Sequence, residues 1–277
     1  MNTGKRMRMK RVVDPSGVSI ICALDHGMTS PTFLEPLSQI EARTAEAVAG
    51  GANVIMMSKG MIRRADPAFS RETSLALLLS ASANPEEDRP SVVQVAQVDE
   101  ATRLGADAVV LFTALAGDTE PDVIRTLASI GGECERLGMP LIAEAEFPTT
   151  YATVEDLSES YGFDYLRRNV RLCAELGADI VKTNWPGDGE RFGQLVEATA
   201  GVPVVLAGGS QIPDRELLER MQAAVEVGGI GCSVGRNIFM HDSPEAITRA
   251  LSRVIRERWT AGKAFDALQE ELGVADG

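Results

Sequence analysis

The chain has 277 residues, 44% of them hydrophobic and 24% charged, a balance that excludes disordered and collagen-like proteins. Its net charge of -13 argues against a nucleic-acid partner, although a local cluster of positive charge can still bind a small anion. The sequence has no apolar run long enough to span a membrane and no signal-peptide core near its start, so we expect a cytoplasmic protein without a membrane partner.

The cysteines do not form a metal-binding or redox motif. They are widely spaced, with no pair separated by two residues and no histidine at metal-ligand spacing. We therefore expect buried, reduced thiols and no metal or other cofactor. These cysteines are Cys22, Cys134, Cys173 and Cys232.

Turn signals and apolar runs divide the chain into alternating strands and helices. Residues 1–17 form a basic arm, which is either solvated or in contact with a phosphate or a neighbouring subunit. Short apolar runs predict strands buried on both faces, at residues 18–24, 53–57, 92–95, 106–112, 141–146, 177–182, 202–207 and 229–235. Helical patterns predict helices at residues 40–48, 74–83, 98–104, 121–137, 165–176, 191–199, 214–227 and, as a C-terminal pair, within 244–272.

A Gly-Ala-Asn or Gly-Ala-Asp signature recurs where a predicted helix gives way to a strand. It occurs at residues 51–53, 105–107 and 177–179, with Gly228-Gly229 in the fourth place. About two strand-helix units fit between successive copies, and the resulting count of about eight favours a single-domain (β/α)8 TIM barrel over residues 1–277. A doubly wound open sheet more often has about five to seven strands and a glycine-rich phosphate loop after the first. Here the first strand ends in Asp25-His26-Gly27 instead.

In such a barrel the catalytic groups lie at the C-terminal ends of the strands. The candidates at or just past those ends are Asp25, His26, Lys59, Glu144, Glu146, Lys182, Trp185, Gly208, Gly209, Ser210, Gly235, Arg236 and Asn237. The loops after the seventh and eighth strands have the character of a phosphate cradle, because glycines expose backbone N–H groups and Arg236 adds positive charge. The competing explanation is that the glycines are small so that helices and strands can pack closely.

Lys182 is the strongest candidate for a nucleophile. It follows Ile180 and Val181 on a central strand, so its stem is expected to run along the barrel wall into a partly desolvated mouth. Desolvation and a nearby cation would both lower its pKa and supply the free amine that a Schiff base requires. Lys59 is a rival nucleophile by the same logic and is also the expected neighbouring cation. The alternative is an ordinary surface lysine paired with an acid.

The acids near Lys182 are the expected proton carriers. Glu144 and Glu146 are two residues apart, which puts them on one face of a strand, and Asp25 follows the first strand. The two glutamates are alternatively metal ligands for a metal-assisted aldol reaction, with His26 as a nitrogen donor.

Segments along nearly the whole chain resemble the archaeal-type class I aldolases, a family that includes fructose-bisphosphate aldolases, aminodideoxyheptulosonate synthases and an autoinducer-phosphate thiolase. They are Gly4-Lys5-Arg6-Met7-Arg8, Ala23-Leu24-Asp25-His26-Gly27, Val181-Lys182-Thr183-Asn184, Ala207-Gly208-Gly209 and Val234-Gly235-Arg236-Asn237-Ile238-Phe239. The resemblance implies that Lys182 is the Schiff-base lysine and Asp25 the acid of the first strand. The implied phosphate site consists of Gly208, Gly209, Gly235 and Arg236. The resemblance also implies a homo-oligomer, often a decamer.

The chain departs from this family at the fifth strand. The aldolases usually end that strand in Tyr-Pro, whose tyrosine transfers protons, and here the corresponding residues are Glu146-Phe147-Pro148. We expect Glu146, or Tyr151 from the following loop, to replace that tyrosine.

The leading hypothesis is a Schiff-base aldolase that forms or cleaves a carbon–carbon bond of a phosphorylated ketose. Its expected donor is dihydroxyacetone phosphate or a related ketose phosphate, and its expected acceptor is an aldehyde such as aspartate semialdehyde. Two other hypotheses stay open: a thiolase-like acyl transferase on a phosphorylated diketone, and a barrel that binds a sugar phosphate without turning it over.

Overall fold

Eight parallel strands close into a barrel in the described part of the chain, which is residues 2–83, 91–115, 117–148 and 154–273 of a computed structural model. In chain order the strands are β1 (Ser19–Ala23), β2 (Val54–Met57), β3 (Ser74–Leu78), β4 (Ser80–Ala83), β5 (Ser91–Gln94), β6 (Ala108–Phe112), β7 (Leu141–Ala145), β8 (Ile180–Thr183), β9 (Val204–Ala207) and β10 (Gly231–Val234). The barrel order is β1-β10-β9-β8-β7-β6-β3-β2, and β4 and β5 pair separately as an antiparallel hairpin. The predicted (β/α)8 barrel is confirmed.

Helices surround the barrel and cover one of its ends. They are α1 (Thr3–Val12), α2 (Ile40–Ala49), α3 (Lys59–Ala65), α4 (Val98–Arg103), α5 (Glu120–Leu137), α6 (Val154–Glu175), α7 (Gly189–Ala198), α8 (Asp214–Glu226), α9 (Arg236–Phe239), α10 (Pro244–Ile255) and α11 (Ala261–Leu272). None of the helices in the described ranges has the length and apolar content of a membrane-spanning segment. All four cysteines are buried free thiols, as predicted.

The sequence-based assignment of the third strand was wrong. Residues 74–83, predicted as a helix, form β3 and β4, and residues 92–95, predicted as the third barrel strand, belong largely to the hairpin strand β5. The five residues of β3 are all buried between β2 and β6. A continuous apolar run gives the same pattern for a buried strand as for a buried helix, so the sheet partners decided the outcome.

The recurring glycine signature has a structural role at the N-terminal end of the barrel. Gly51, Gly105 and Gly177 each have a positive φ, of 106°, 78° and 96° respectively, so each supplies the left-handed turn between a helix and the next strand. The polar residue that ends each copy then accepts a hydrogen bond from a backbone N–H in the first two residues of a neighbouring strand. These bonds are Ile20 N to Asn53 Oδ1 at 2.7 Å, Leu75 N to Asp107 Oδ2 at 3.4 Å and Leu141 N to Asp179 Oδ2 at 2.9 Å.

The basic arm is largely a helix, α1, rather than a solvated tail. Two side chains and one backbone carbonyl of this helix contact the polar residues of the three glycine signatures. Lys5 Nζ lies 2.9 Å from Asp179 Oδ2, and Arg11 Nε donates to Asp107 Oδ1 at 2.6 Å. The carbonyl of Val12, the last residue of the helix, accepts from Asn53 Nδ2 at 3.0 Å. Val12 itself is fully buried in the cluster that fills the barrel interior. The helix therefore covers the N-terminal end of the barrel, opposite the end where catalytic residues are expected.

Replacing Lys5 by methionine is expected to lower the free energy of unfolding by about 3 kcal/mol, because it leaves the Asp179 carboxylate, whose side chain is 8% exposed, without its cation. Lys10→Met, on the exposed face of the same helix, is the matched control and should change stability little. Urea unfolding followed by circular dichroism measures both. Equal losses for the two variants would contradict this account of α1.

Side chains on the barrel strands alternate between the barrel interior and the layer beneath the helices. Ile142 and Ile180 belong to the interior cluster, whereas their chain neighbours Ala143 and Val181 belong to the outer one. By the same alternation, the side chains of Glu144 and Lys182 point into the barrel interior, at its C-terminal end.

Candidate active site

Lys182 meets two glutamates inside the C-terminal end of the barrel. In the parallel pairing of β7 and β8, Glu144 lies directly opposite Lys182. Lys182 Nζ donates a hydrogen bond to Glu144 Oε1 at 2.6 Å and lies 3.0 Å from Glu146 Oε1. The exposed fractions are 8% for Lys182 and 4% for each glutamate, so the three charges interact at low effective dielectric. This confirms that the glutamates share one face.

The contact with Glu146 is an ion pair without hydrogen-bond alignment. Its Oε1 atom is buried and has no hydrogen-bond partner among the described residues, although the Lys182 amine is at contact distance. Asp25 follows β1 and is 6% exposed. Its Oδ1 atom is also buried without a hydrogen-bond partner among the described residues, and it lies 3.5 Å from His26 Nδ1. Buried polar atoms without partners are rare in folded proteins and are found at catalytic sites.

The charge on Lys182 differs from the sequence-based expectation. Burial opposes a charge on its amine, but the carboxylates of Glu144, Glu146 and Asp25 outweigh burial and hold its pKa above the usual value. Lys59, the expected neighbouring cation, does not supply that charge, because it begins α3 and pairs with Glu100 at 3.2 Å. The prediction of a lowered pKa was therefore wrong, and the resting amine is an ammonium that needs a proton acceptor.

Glu144 is such an acceptor. Burial raises the pKa of its carboxyl to about 7, with the charge of Lys182 opposing the increase and those of Glu146 and Asp25 adding to it. For Asp25, burial favours the neutral form, but His26 and Lys182 outweigh burial and hold the pKa of the carboxyl below its usual value. Near neutral pH the site thus holds an ammonium, a carboxyl ready to exchange a proton, and a carboxylate that stays ionised.

Two side chains of α9 hold the loop after β9 by hydrogen bonds to its backbone carbonyls. The carbonyls of Gly208 and Ser210 both accept from Asn237 Nδ2, at 3.0 and 2.9 Å, and that of Gly209 accepts from Arg236 Nη2 at 3.0 Å. In a trans peptide the N–H points opposite to the carbonyl. The N–H group that follows each of these carbonyls therefore faces away from α9, as in backbone nests that bind anions.

Close packing also requires two of the predicted cradle glycines. A Cβ atom on Gly208 would lie 2.9 Å from Val234 Cγ1, and one on Gly235 would lie 2.3 Å from His26 Cε1. The His26 ring also contacts Phe239 edge to face, with the ring centroids 5.2 Å apart. Close packing alone therefore explains why glycine occupies these two positions, independently of any role in anion binding.

Several predicted residues do not join the cluster around Lys182. Trp185 packs beneath the helices, stacked on Phe192 with a centroid distance of 6.1 Å, because it lies an odd number of residues from Lys182. The Phe147 ring is likewise buried in the outer layer, so the inward position at the end of β7 belongs to Glu146. Lys59 is 46% exposed in its pair with Glu100. Tyr151 lies outside the described residues.

Sequence reasoning missed Asn184 near the end of β8, whereas Asn237 was among the candidates. Asn184 is 6% exposed and Asn237 is 5% exposed, and both use their side chains to hold neighbouring backbone. The alternation from Lys182 to Asn184 was the available signal. Among the described residues, no three histidine, cysteine, aspartate or glutamate side chains are arranged to hold a metal ion.

Comparison with known proteins identifies the family. The model of the DeoC/LacD family of aldolases matches residues 19–241. The chain is 34% identical over 256 residues to 2-amino-3,7-dideoxy-D-threo-hept-6-ulosonate synthase of Halobacterium salinarum, which covers 92% of this chain and 93% of that protein. It is 29% identical over 263 residues to 2-amino-4,5-dihydroxy-6-oxo-7-(phosphonooxy)heptanoate synthase of Streptomyces griseus, with 94% and 93% covered. The chain belongs to the DeoC/LacD family and is an enzyme of the class I aldolase type, as predicted.

Solved structures give the same fold. An archaeal fructose 1,6-bisphosphate aldolase superposes with a TM-score of 0.80 at 24% identity, over 91% of this chain and 99% of that one. Fructose-bisphosphate aldolase from Slackia heliotrinireducens superposes with a TM-score of 0.81 at 16% identity, over 98% and 92%. At these identities the superpositions support the barrel and its topology.

Proposed function

We propose that this protein is a Schiff-base aldolase that makes or breaks a carbon–carbon bond of a phosphorylated ketose, with Lys182 as the nucleophile. The proposed donor is dihydroxyacetone phosphate or a related ketose phosphate, and the proposed acceptor is an aldehyde such as aspartate semialdehyde. The observation that carries the proposal is the 2.6 Å hydrogen bond between the buried Lys182 amine and Glu144, whose pKa is about 7.

The first step removes a proton from the Lys182 ammonium and forms the imine. Lys182 gives a proton to the Glu144 carboxylate, and the neutral amine attacks the ketone carbon of the substrate to form a carbinolamine. The hydroxyl of that carbinolamine takes a proton and leaves as water, which produces a protonated imine on Lys182. Glu144 now holds a proton beside this centre and is the proposed donor.

The second step breaks or forms the carbon–carbon bond. In the cleavage direction a base removes the proton from the substrate hydroxyl that becomes the aldehyde, and the bonding electrons move into the imine to give an enamine. Glu146 is the proposed base, because it occupies the inward position and its Oε1 lies 3.0 Å from Lys182 Nζ. Asp25 stays anionic and stabilises the positive charge of the imine.

The proposed phosphate site is the pair of loops after β9 and β10. Its support is the orientation of the backbone at residues 208–210, whose carbonyls are all held on the α9 side. Arg236, whose Nη2 donates to Gly209 O at 3.0 Å, adds positive charge beside the loop. Arg236→Ala is expected to raise KM for a phosphorylated ketose, with a smaller effect on its unphosphorylated counterpart.

The name of one relative supports the proposed substrates. The Streptomyces griseus relative makes a seven-carbon 2-amino acid with a 6-oxo group and a 7-phosphonooxy group. Joining a three-carbon ketose phosphate to a four-carbon amino-aldehyde through one new carbon–carbon bond gives that skeleton. That product supports both the proposed donor class and an amino-aldehyde acceptor for this chain.

A substrate panel tests the proposal. Purified protein is incubated with ketose phosphates and with their unphosphorylated forms, in the presence and absence of aspartate semialdehyde, and the products are identified by mass spectrometry. We expect turnover of at least one phosphorylated ketose that persists in EDTA. Turnover that requires coenzyme A would point to acyl transfer instead. Phosphate-ligand binding without hydrogen–deuterium exchange at the ketose α-carbon would point to a binding protein.

The homo-oligomer is proposed on the resemblance alone. Multi-angle light scattering of the purified protein tests it, with a decamer expected at ten times the 29.6 kDa of one chain. A single species at the mass of one chain would contradict it.

A further inference from the structure

One oxygen of the Glu146 carboxylate is not held by a hydrogen bond. Its Oε1 atom, the one nearest the Lys182 amine, is buried without a hydrogen-bond partner among the described residues. Besides its ion pair with Lys182, the backbone that carries this side chain therefore helps to set the position of that oxygen.

The peptide that follows Glu146 is held at both of its edges by side chains. Its carbonyl, Glu146 O, accepts from Tyr165 Oη at 3.2 Å and from Asn169 Nδ2 at 3.4 Å. Its N–H, on Phe147, donates to Asn184 Oδ1 at 2.8 Å. Because a peptide is planar, fixing both edges fixes the orientation of the whole unit.

The same side chains tie this peptide to the strands on either side. Tyr165 Oη also accepts from Leu115 N at 2.8 Å, and Asn169 Nδ2 also donates to Thr113 O at 2.7 Å, so both bridge the chain after β6 to the end of β7. Tyr165 and Asn169 are four residues apart on α6 and therefore share one face of that helix. Asn184 lies two residues beyond Lys182, so it ties Glu146 to the strand of the nucleophile.

The Phe147 ring adds a packing anchor. It stacks on the Tyr165 ring with a centroid distance of 5.9 Å and an interplanar angle of 20°. Phe147 is 1% exposed, so the aromatic side chain and the peptide before it are held by the same tyrosine.

We propose that Tyr165, Asn169 and Asn184 are positioning residues that act through the Glu146–Phe147 peptide to hold the Glu146 carboxylate against Lys182. The proposal rests on the proposed function and deepens it, because it states how the replacement for the family's tyrosine is kept in place. A catalytic group displaced by about 1 Å loses much of its effect, so the three side chains matter for rate although none is proposed to touch substrate.

Tyr165→Phe is the sharpest test, because it removes only the hydroxyl and keeps the ring stacked on Phe147. We expect kcat to fall by about 10-fold to 100-fold with KM changed less than about twofold, and the pH profile of kcat/KM to change shape. The matched control is Thr248→Val, which removes a buried hydroxyl bonded to Pro244 O at 2.7 Å on α10. It should lose comparable stability and keep kcat and the pH profile. Asn184→Leu, at the other edge of the peptide, is the second variant.

A double-mutant cycle decides whether Tyr165 acts through Glu146. In a Glu146→Gln background, Tyr165→Phe should have almost no further effect on kcat/KM. Fully additive losses, or an unchanged kcat in Tyr165→Phe alone, would overturn the proposal.

A crystal structure of Tyr165→Phe separates this proposal from the proposed function. We expect the distance from Glu146 Oε1 to Lys182 Nζ to increase from 3.0 Å while the Glu144 contact stays near 2.6 Å. This readout does not depend on turnover. An unmoved Glu146 would overturn the positioning role even if Lys182 forms the imine, and a moved Glu146 would support it even if the imine never forms.

Discussion

Lys182→Arg is expected to lower kcat on the order of 10⁴-fold while the protein still folds and binds a phosphorylated ketose. The guanidinium keeps the positive charge between Glu144 and Glu146, but it cannot form an imine. Steady-state turnover measures the loss, and calorimetry with the ketose phosphate that is turned over measures binding. Lys182→Met, which removes the charge as well, is the second variant if arginine proves too large for the site.

Lys59→Arg is the matched control for the nucleophile. Lys59 also follows a barrel strand, but it is 46% exposed and pairs with Glu100. Its replacement should leave kcat within about twofold, because exposed ion pairs contribute little. An inactive Lys59→Arg beside an active Lys182→Arg would show that the nucleophile has been assigned to the wrong lysine.

Glu144→Gln is expected to lower kcat/KM at pH 7 on the order of 100-fold and to change its pH dependence. With a pKa of about 7, Glu144 holds a proton below that pH and cannot accept one from Lys182, whose own pKa is raised. Activity of the natural protein should therefore rise with pH through about 7 and level off above it. In the variant this rise should disappear or move to higher pH, since glutamine cannot accept the proton.

A pH series from 5.5 to 9 with the natural protein and the variant makes this measurement. Glu135→Gln is the control, because Glu135 is a 55% exposed carboxylate that pairs with Lys5 at the opposite end of the barrel. It should leave the profile unchanged. A profile that keeps its rise near pH 7 in Glu144→Gln would assign the proton acceptor to another group.

The architecture of this protein was readable from local signals because each of them has a local physical cause. Gly51, Gly105 and Gly177 mark the start of strands since the backbone there needs a positive φ. The strand at residues 74–78 was not readable, because a short apolar run is buried in the same way whether it pairs in a sheet or packs as a helix.

The site was predictable in part. That Lys182 lies near the end of a strand, and that Glu144 and Glu146 share a face, follow from sequence spacing and strand alternation. The same alternation, applied one residue further, would have placed Trp185 and Phe147 outside the barrel and Asn184 at its mouth. The charge state of Lys182 depends on the register between β7 and β8, which puts Glu144 opposite it, and that register is a property of the closed barrel.

The positioning residues on α6 lie beyond sequence reasoning for a similar reason. Tyr165 and Asn169 have the spacing of one helix face, which is common to any amphipathic helix. Their role appears only when α6 docks beside the ends of β6 and β7 and both side chains reach Glu146 O.

The central claim is that Lys182 forms a covalent imine with a ketose phosphate. The most direct measurement is to incubate the protein with dihydroxyacetone phosphate, reduce with sodium borohydride, digest the product and locate the added mass by tandem mass spectrometry. We expect the added mass on Lys182 in the natural protein and no adduct in Lys182→Arg. Turnover of the ketose phosphate without a reducible adduct, or an adduct on another lysine, would contradict the account.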